Sequence, residues 1–348
     1  MNFFSNFFIA IILSVSFAGI SQNLPKLYNC PLITEDIKVD GNDTELSWSR
    51  ATWTPIFVDI EGDSAKKPFL ETKVKILWDS TYLYVFASLA EPNIWASLEN
   101  HDDIVYRDND IEVFIDPDGD SHNYMEIEVN ALNTVLDLLM VKPYRNGGPL
   151  IMEWNPAKLK TAVHLYGTLN NSSDTDSSWT VEMAIPMSAL CFNKPKSWPA
   201  PGDYWRINFS RVHYSLVKAG NGYEKAKGSD GNLLPEYNWV WSPQGQINMH
   251  MPEQWGYLLF NSVKMDFTEK LPVDAKIRAV LHKEYQAQKS SLVLIGTYRG
   301  TTTKKVMFDK RTYELSTKVT ENHFEITAKG KERTWHLTDD SKLWITGN

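Results

Sequence analysis

The 348-residue chain is poor in cysteine, with only Cys30 and Cys191. Two thiols cannot build a disulfide scaffold or a thiolate zinc site. They leave two alternatives, one long-range disulfide or two separate buried thiols. Basic surplus is also missing: 35 Lys and Arg stand against 43 Asp and Glu, a net charge of −8. Nucleic acid is therefore not an expected partner, since its phosphates call for a basic surface. No stretch reaches the roughly 20 apolar residues that a membrane span needs. HExxH, GxSxG, phosphate-loop and CxxC patterns are absent, so no catalytic motif announces an enzyme, and whether the chain is one stays open. His122, His213 and His250 lack metal-ligand spacing and read as structural.

What the chain does have is tryptophan, thirteen in all. Indole rings fill cores or present flat stacking faces. Eleven lie before residue 265, and only Trp335 and Trp344 follow. Charge divides at the same place. Residues 1–264 carry 20 basic and 32 acidic side chains, whereas residues 265–348 carry 15 and 11. The asymmetry predicts two domains, and an N-terminal leader adds a third segment. Residues 1–22 are a signal peptide, 23–264 a β-domain and 265–348 a small α+β domain of unassigned role. The leader is read from the apolar run Phe7–Phe17 and the small residues Ser16, Ala18, Gly19 and Ser21 behind it. It predicts an exported protein, periplasmic, cell-surface-associated or secreted.

The β reading rests on short β-branched and aromatic runs at 74–77, 83–89, 111–115, 124–130, 135–141, 179–185, 204–212 and 255–260. Alternation in Glu112-Val113-Phe114-Ile115 and Glu126-Ile127-Glu128-Val129 implies one buried and one wetter face. Many short strands without intervening helices predict a mainly β fold, an antiparallel β-sandwich. In the C-terminal part, Pro272 opens a helix whose Ile277, Val280, Leu281 and Tyr285 share a face. Strand-like runs at 292–295, 305–308, 313–319, 324–328, 334–337 and 343–345 complete an α+β unit.

The stretches IKVDGNDTELSWSRATW (37–53), WDSTYLY (78–84), DNDIEVFID (108–116), DGDSHNYMEIEVN (118–130), WTVEMAIPMSAL (179–190), PGDYWRINFSRV (201–212) and NWVWSP (238–243) together resemble the carbohydrate-binding family 9-like proteins. The founding members are sugar-binding modules attached to xylanases, and the resemblance spans roughly residues 35–262. It implies a β-sandwich with structural calcium and a sugar held between two tryptophans. By that resemblance Trp241 stands at the late sandwiching position and Trp95 at the early one; among the remaining tryptophans, Trp239 and Trp154 are the reserves. Polar partners for sugar hydroxyls are sought at Arg107, Glu128, Asn130, Arg211 and Gln244. Glu128 stands where the sugar-binding modules carry a ligand-contacting arginine, which puts the same sugar specificity in question.

Asp116, Asp118 and Asp120, around Pro117 and Gly119, form a dense oxygen-donor turn suited to calcium, or a plain hairpin turn. Asp40, Asn42 and Asp43 form a sparser second candidate. The function expected is non-catalytic glycan or oligosaccharide binding in polysaccharide capture or degradation. Strongly anionic polysaccharides fit the net charge poorly unless a local patch reverses it. The alternatives are a haem-binding sandwich domain using Met249-His250-Met251, or a glycoside hydrolase acting on the bound glycan.

Overall fold

The computed structural model describes residues 25–191, 198–262 and 270–347. The expected signal segment lies outside them. The larger sheet runs, in spatial order, through Leu27–Pro31, Gly256–Asn261, Tyr204–His213, Asp110–Asp116, Tyr124–Asn130, Val135–Met140 and Leu150–Ile151. Tyr237–Val240 also pairs with Tyr204–His213, and Val58–Asp59 pairs beyond it. Leu27–Pro31 runs parallel to Gly256–Asn261, while the other pairings of this sheet are antiparallel. A second sheet orders Thr72–Trp78, Tyr82–Ala90, Ser178–Pro186 and Lys160–Tyr166.

The two sheets face each other across one apolar core. Val113, Ile115, Ile127 and Val129 enter it from the larger sheet, and Val74, Ile76, Val85 and Val181 from the smaller. The antiparallel sandwich expected from the alternation is therefore present. Strict alternation sends the intervening residues of Asp110–Asp116 and Tyr124–Asn130 to the opposite face of the larger sheet. Cys30 is a free thiol, and both it and Cys191 sit in this core, so the long-range disulfide alternative is not realised. Burial pushes the Cys30 thiol well up from its ordinary value.

The C-terminal region has the expected helix and sheet. The helix spans Ala275–Ile295 and packs Ile277, Leu281 and Tyr285 against a five-stranded meander running from Thr302–Phe308 to Leu343–Gly347. The run at 292–295, expected as strand, is the last turn of this helix. Its four apolar residues suit either state, and the helix continues until Gly296 adopts φ 74° and ends it. The C-terminal unit is tied to the sandwich by directed bonds. Arg278 Nη1 donates to Gly119 O at 2.8 Å, Tyr285 OH donates to Asn146 Oδ1 at 2.8 Å, and Leu343 N donates to Asp120 O at 3.0 Å. Among the described residues, no helix is long and apolar enough to cross a membrane.

Candidate functional site

The outer face of the larger sheet carries a cleft of about 460 Å³, within the ~300–1,000 Å³ typical of small-ligand sites. Register assembles its floor. Glu112 lies opposite Glu128, Phe114 opposite Glu126, and Glu126 and Glu128 face Leu138 and Leu136 on the next strand. Aromatic edges rise from loops: Tyr106 and Tyr144 are 44% and 49% exposed and line the cleft with Ile247 and Asn238. The arrangement gives apolar ring faces beside a polar floor, which are the two features a sugar presents in complement.

The floor is dominated by carboxyl groups. Burial, and repulsion from their neighbours, push Glu126, Glu128 and the adjoining Asp110 well above the usual carboxylate range. Burial also raises Glu112 to about 7. Glu128 Oε2 accepts from Tyr106 N at 2.7 Å, which fixes the tyrosine loop on the floor. The lining includes no Lys or Arg. Protonated carboxyls can donate and ionised ones accept, so the floor offers both roles to hydroxyl groups.

His250 closes one end. Its Nδ1 bonds Tyr124 OH at 2.9 Å, its Nε2 lies 3.9 Å from Glu126, and its ring meets Tyr144 edge-on at 4.5 Å. Burial, helped by Arg145, lowers its pKa to about 4. Met249 and Met251 are buried beside it. An axial role for His250 in haem ligation would require breaking its bond to Tyr124 or moving Glu126. Glu112 and Glu128 are cross-strand neighbours on one floor and approach a ligand from one side. Glycosidases flank the scissile bond with their two carboxyl groups.

Of the six residues expected to contact the ligand, Glu128 alone lines this cleft. Trp241 is 1% exposed and packs in the core against Phe209, with ring centroids 5.9 Å apart. The expected stacking face is thus covered. A Cβ on Gly256 would sit 2.2 Å from Trp241 Cζ3, so the ring occupies the space a larger residue would need. Trp239 is also buried and stacks on His213 at 5.1 Å. Arg211 points to the interior, where Nη2 donates to Glu91 Oε2 at 2.8 Å and Nη1 to Thr72 Oγ1 and Ala90 O at 3.0 Å. Gln244 is buried, its Nε2 donating to Ser242 O at 2.8 Å. Trp95 is half-buried beside Lys225, whose Nζ lies 5.7 Å from the ring. Arg107 is exposed at the end of the 3-10 turn Val105–Arg107. Asn130, the further polar candidate, is buried and donates to Leu98 O at 2.9 Å and Asp108 Oδ2 at 3.0 Å. Trp154, a reserve, is half-buried against the core.

Tyr106, Tyr144, Glu112 and Glu126 were not among the expected ligand contacts, and His250 was expected only as a structural residue or, with Met249 and Met251, a haem ligand. The outward alternation of Glu112, Glu126 and Glu128 was visible. Nothing in the sequence showed that register stacks them side by side.

The Asp116 turn is a separate feature. Carboxylate oxygens of Asp116, Asp118 and Asp120 lie within 4.8 Å of one another. Asp116 accepts from Gly119 N and Ser121 N, both at 2.9 Å, and Asp120 from His122 N at 2.8 Å. Burial and the neighbouring Asp116 push the Asp120 carboxyl up to about 7. A hard-oxygen donor set under mutual repulsion fits a calcium ion. In the sparser candidate, Asp40 pairs with Lys38 at 3.0 Å and Asp43 with Lys75 at 2.7 Å.

The family model described as carbohydrate family 9 binding domain-like matches residues 39–222. No curated protein matches the chain. Among solved structures, a Bacteroides uniformis ATCC 8492 protein assigned as carbohydrate-binding is 20% identical with a TM-score of 0.49, covering 68% of this chain and 99% of that one. A family 9 carbohydrate-binding module from Caldicellulosiruptor kristjanssonii, in complex with cellotriose, is 16% identical with a TM-score of 0.43, covering 71% and 99%. The glucose complex from the same organism is 16% identical with a TM-score of 0.42, covering 69% and 99%. With the match spanning more than half of its length, this chain belongs to the carbohydrate family 9 binding domain-like proteins.

Proposed function

We propose that the protein is an exported, non-catalytic glycan-binding protein that holds a sugar in the cleft of the larger sheet. The observation that carries this reading is the cleft itself: a carboxyl-rich floor built by Glu112, Glu126 and Glu128 beneath the exposed rings of Tyr106 and Tyr144. Rings of this kind pack on the apolar C–H face of a sugar, and carboxyl groups bond its hydroxyl rim. The acidic floor favours an uncharged or amine-bearing sugar over a uronic acid, because an anion there would meet like charge in a poorly solvated site.

Family membership supports sugar as the ligand class. The apolar leader at residues 7–17 supports export, and a role in polysaccharide capture or degradation follows from combining the two. Calcium at Asp116, Asp118 and Asp120 would brace the turn that receives the C-terminal unit, since Asp120 O accepts from Leu343 N there. A panel of neutral, amino and uronic oligosaccharides tests the reading. Binding by wild type and loss in Tyr144→Ala support it. Release of reducing ends would favour the hydrolase alternative, and indifference to the whole panel would overturn glycan binding.

A further inference from the structure

A second cavity, of about 340 Å³, lies between the first turns of the Ala275–Ile295 helix and the sandwich. The C-terminal unit forms one wall, and the outer face of the larger sheet, through Arg206 and Tyr257, forms the other. Its lining carries Arg206, Arg278, Lys283 and His282, with Glu253 as the acidic member. Glu253 is already engaged, accepting from Arg145 Nη2 at 2.8 Å. Arg278 is likewise engaged, its Nε donating to Asp274 Oδ2 at 2.8 Å, so the cations of the lining that bear on an added anion are Arg206 and Lys283.

Two buried nitrogens in this lining have no partner. Arg206 uses Nε on Pro252 O at 3.1 Å and Nη2 on Glu253 O, while Nη1 is buried without an acceptor. His282 Nδ1 is likewise buried and unpartnered. Buried polar atoms without a hydrogen-bond partner are uncommon in folded proteins. A guanidinium presents its N–H groups in a fixed fork that matches carboxylates and sulfates. Arg278 stands beside it: a Cβ on Gly119 would lie 3.4 Å from Arg278 Nη1 and 3.2 Å from Arg206 Cγ, so glycine leaves room for the Arg278 guanidinium and the Arg206 stem.

We propose that this junction cavity binds a small molecule bearing a carboxylate or sulfate group, with Arg206 and His282 holding the anion and Lys283 at the rim. The helix supplies His282 and Lys283, and the sandwich supplies Arg206, so the site exists only where the two units meet. This gives the C-terminal unit a function: it completes a second binding site, separate from the sugar cleft. Burial, reinforced by Arg145, Arg206 and Arg278, lowers the His282 pKa to about 4; an anion among these groups would reverse that pressure.

The test uses the full chain, with calorimetric titration and thermal melts in anion-poor buffer. The probes are inorganic sulfate, free glucuronate and, as uncharged control, glucose. Sulfate or glucuronate should bind and raise the melting temperature. Binding should weaken at least tenfold in His282→Leu and in Lys283→Glu. Lys283 is exposed, so its variant keeps the test informative if His282→Leu folds poorly. A response to sulfate alone identifies a free inorganic anion as the ligand. A stronger response to glucuronate identifies an acidic sugar. Failure of both anions to bind, affinity unchanged from wild type in both variants, or loss of anion binding in the cleft variant Tyr144→Ala would overturn the proposal.

Discussion

Replacing Trp241 separates a core residue from a sugar platform. The ring is 1% exposed, packs on Phe209 and occupies the space above Gly256. Truncation to alanine removes a whole indole from a close-packed interior, which costs about 3–5 kcal/mol. Phenylalanine fills much of the same space. It also removes an indole N–H that is buried with no acceptor, a group whose burial costs about 1–3 kcal/mol. Trp241→Phe should therefore be clearly milder than Trp241→Ala. Gly256→Ala attacks the same contact from the other side, placing a Cβ 2.2 Å from the ring, with an overpacking cost of about 1–3 kcal/mol. Urea unfolding gives the stabilities, and glycan titration of folded Trp241→Phe gives the binding. The reasoning predicts large loss of stability in Trp241→Ala and Gly256→Ala, and near wild-type affinity in Trp241→Phe. It is refuted if Trp241→Ala keeps its stability while binding vanishes.

Three other outcomes are expected. Glu91→Gln should lower stability by about 3–5 kcal/mol in chemical unfolding, because it strands the buried Arg211 guanidinium; an unchanged midpoint would contradict this. Burial holds the Glu112 proton up to about pH 7, whereas in the unfolded chain a glutamate loses it near 4.3. The folded state thus carries the extra proton between these values, and this group's stabilising effect declines as pH rises from about 5 to 7. His250 and His282, lowered by burial, act in the opposite direction. The measurement is therefore the difference in melting temperature between wild type and Glu112→Gln, which should move against wild type as pH rises; a difference constant with pH would contradict it. Calcium should raise the melting temperature of wild type, by about 2.7 kcal/mol of stability at a hundredfold excess over Kd, and Asp120→Asn should abolish the gain. Equal gains in both proteins would remove the Asp116 turn as the calcium site.

Much of the sandwich could be read from local pattern. Tyr124–Asn130 coincides with its strand, and most other runs fall within a residue or two of theirs, because period-2 alternation reports burial directly. Strands with weaker alternation, such as Lys160–Tyr166 at the sheet edge, escaped that reading. The site was less legible for a physical reason. Trp241 and Arg211 have residue types that suit a ligand, but their role depends on which face of the sheet they meet. Arg211 turns inward because Glu91, 120 positions away, supplies its counter-charge. Tyr106 and Tyr144 come from separate loops that only the folded sheet brings to one rim. The junction cavity needs two units packed together, and neither one's sequence contains it.

The account's central claim is that the cleft over Glu112, Glu126 and Glu128 is where sugar binds. Calorimetric titration of wild type and Tyr144→Ala with the panel's best glycan tests it most directly. Tyr144 is half exposed, so its removal should leave the melting temperature near that of wild type. The predicted result is at least a tenfold loss of affinity, equivalent to about 1.4 kcal/mol, with the fold intact. Unchanged affinity in the variant would contradict the claim and place the sugar elsewhere on the protein.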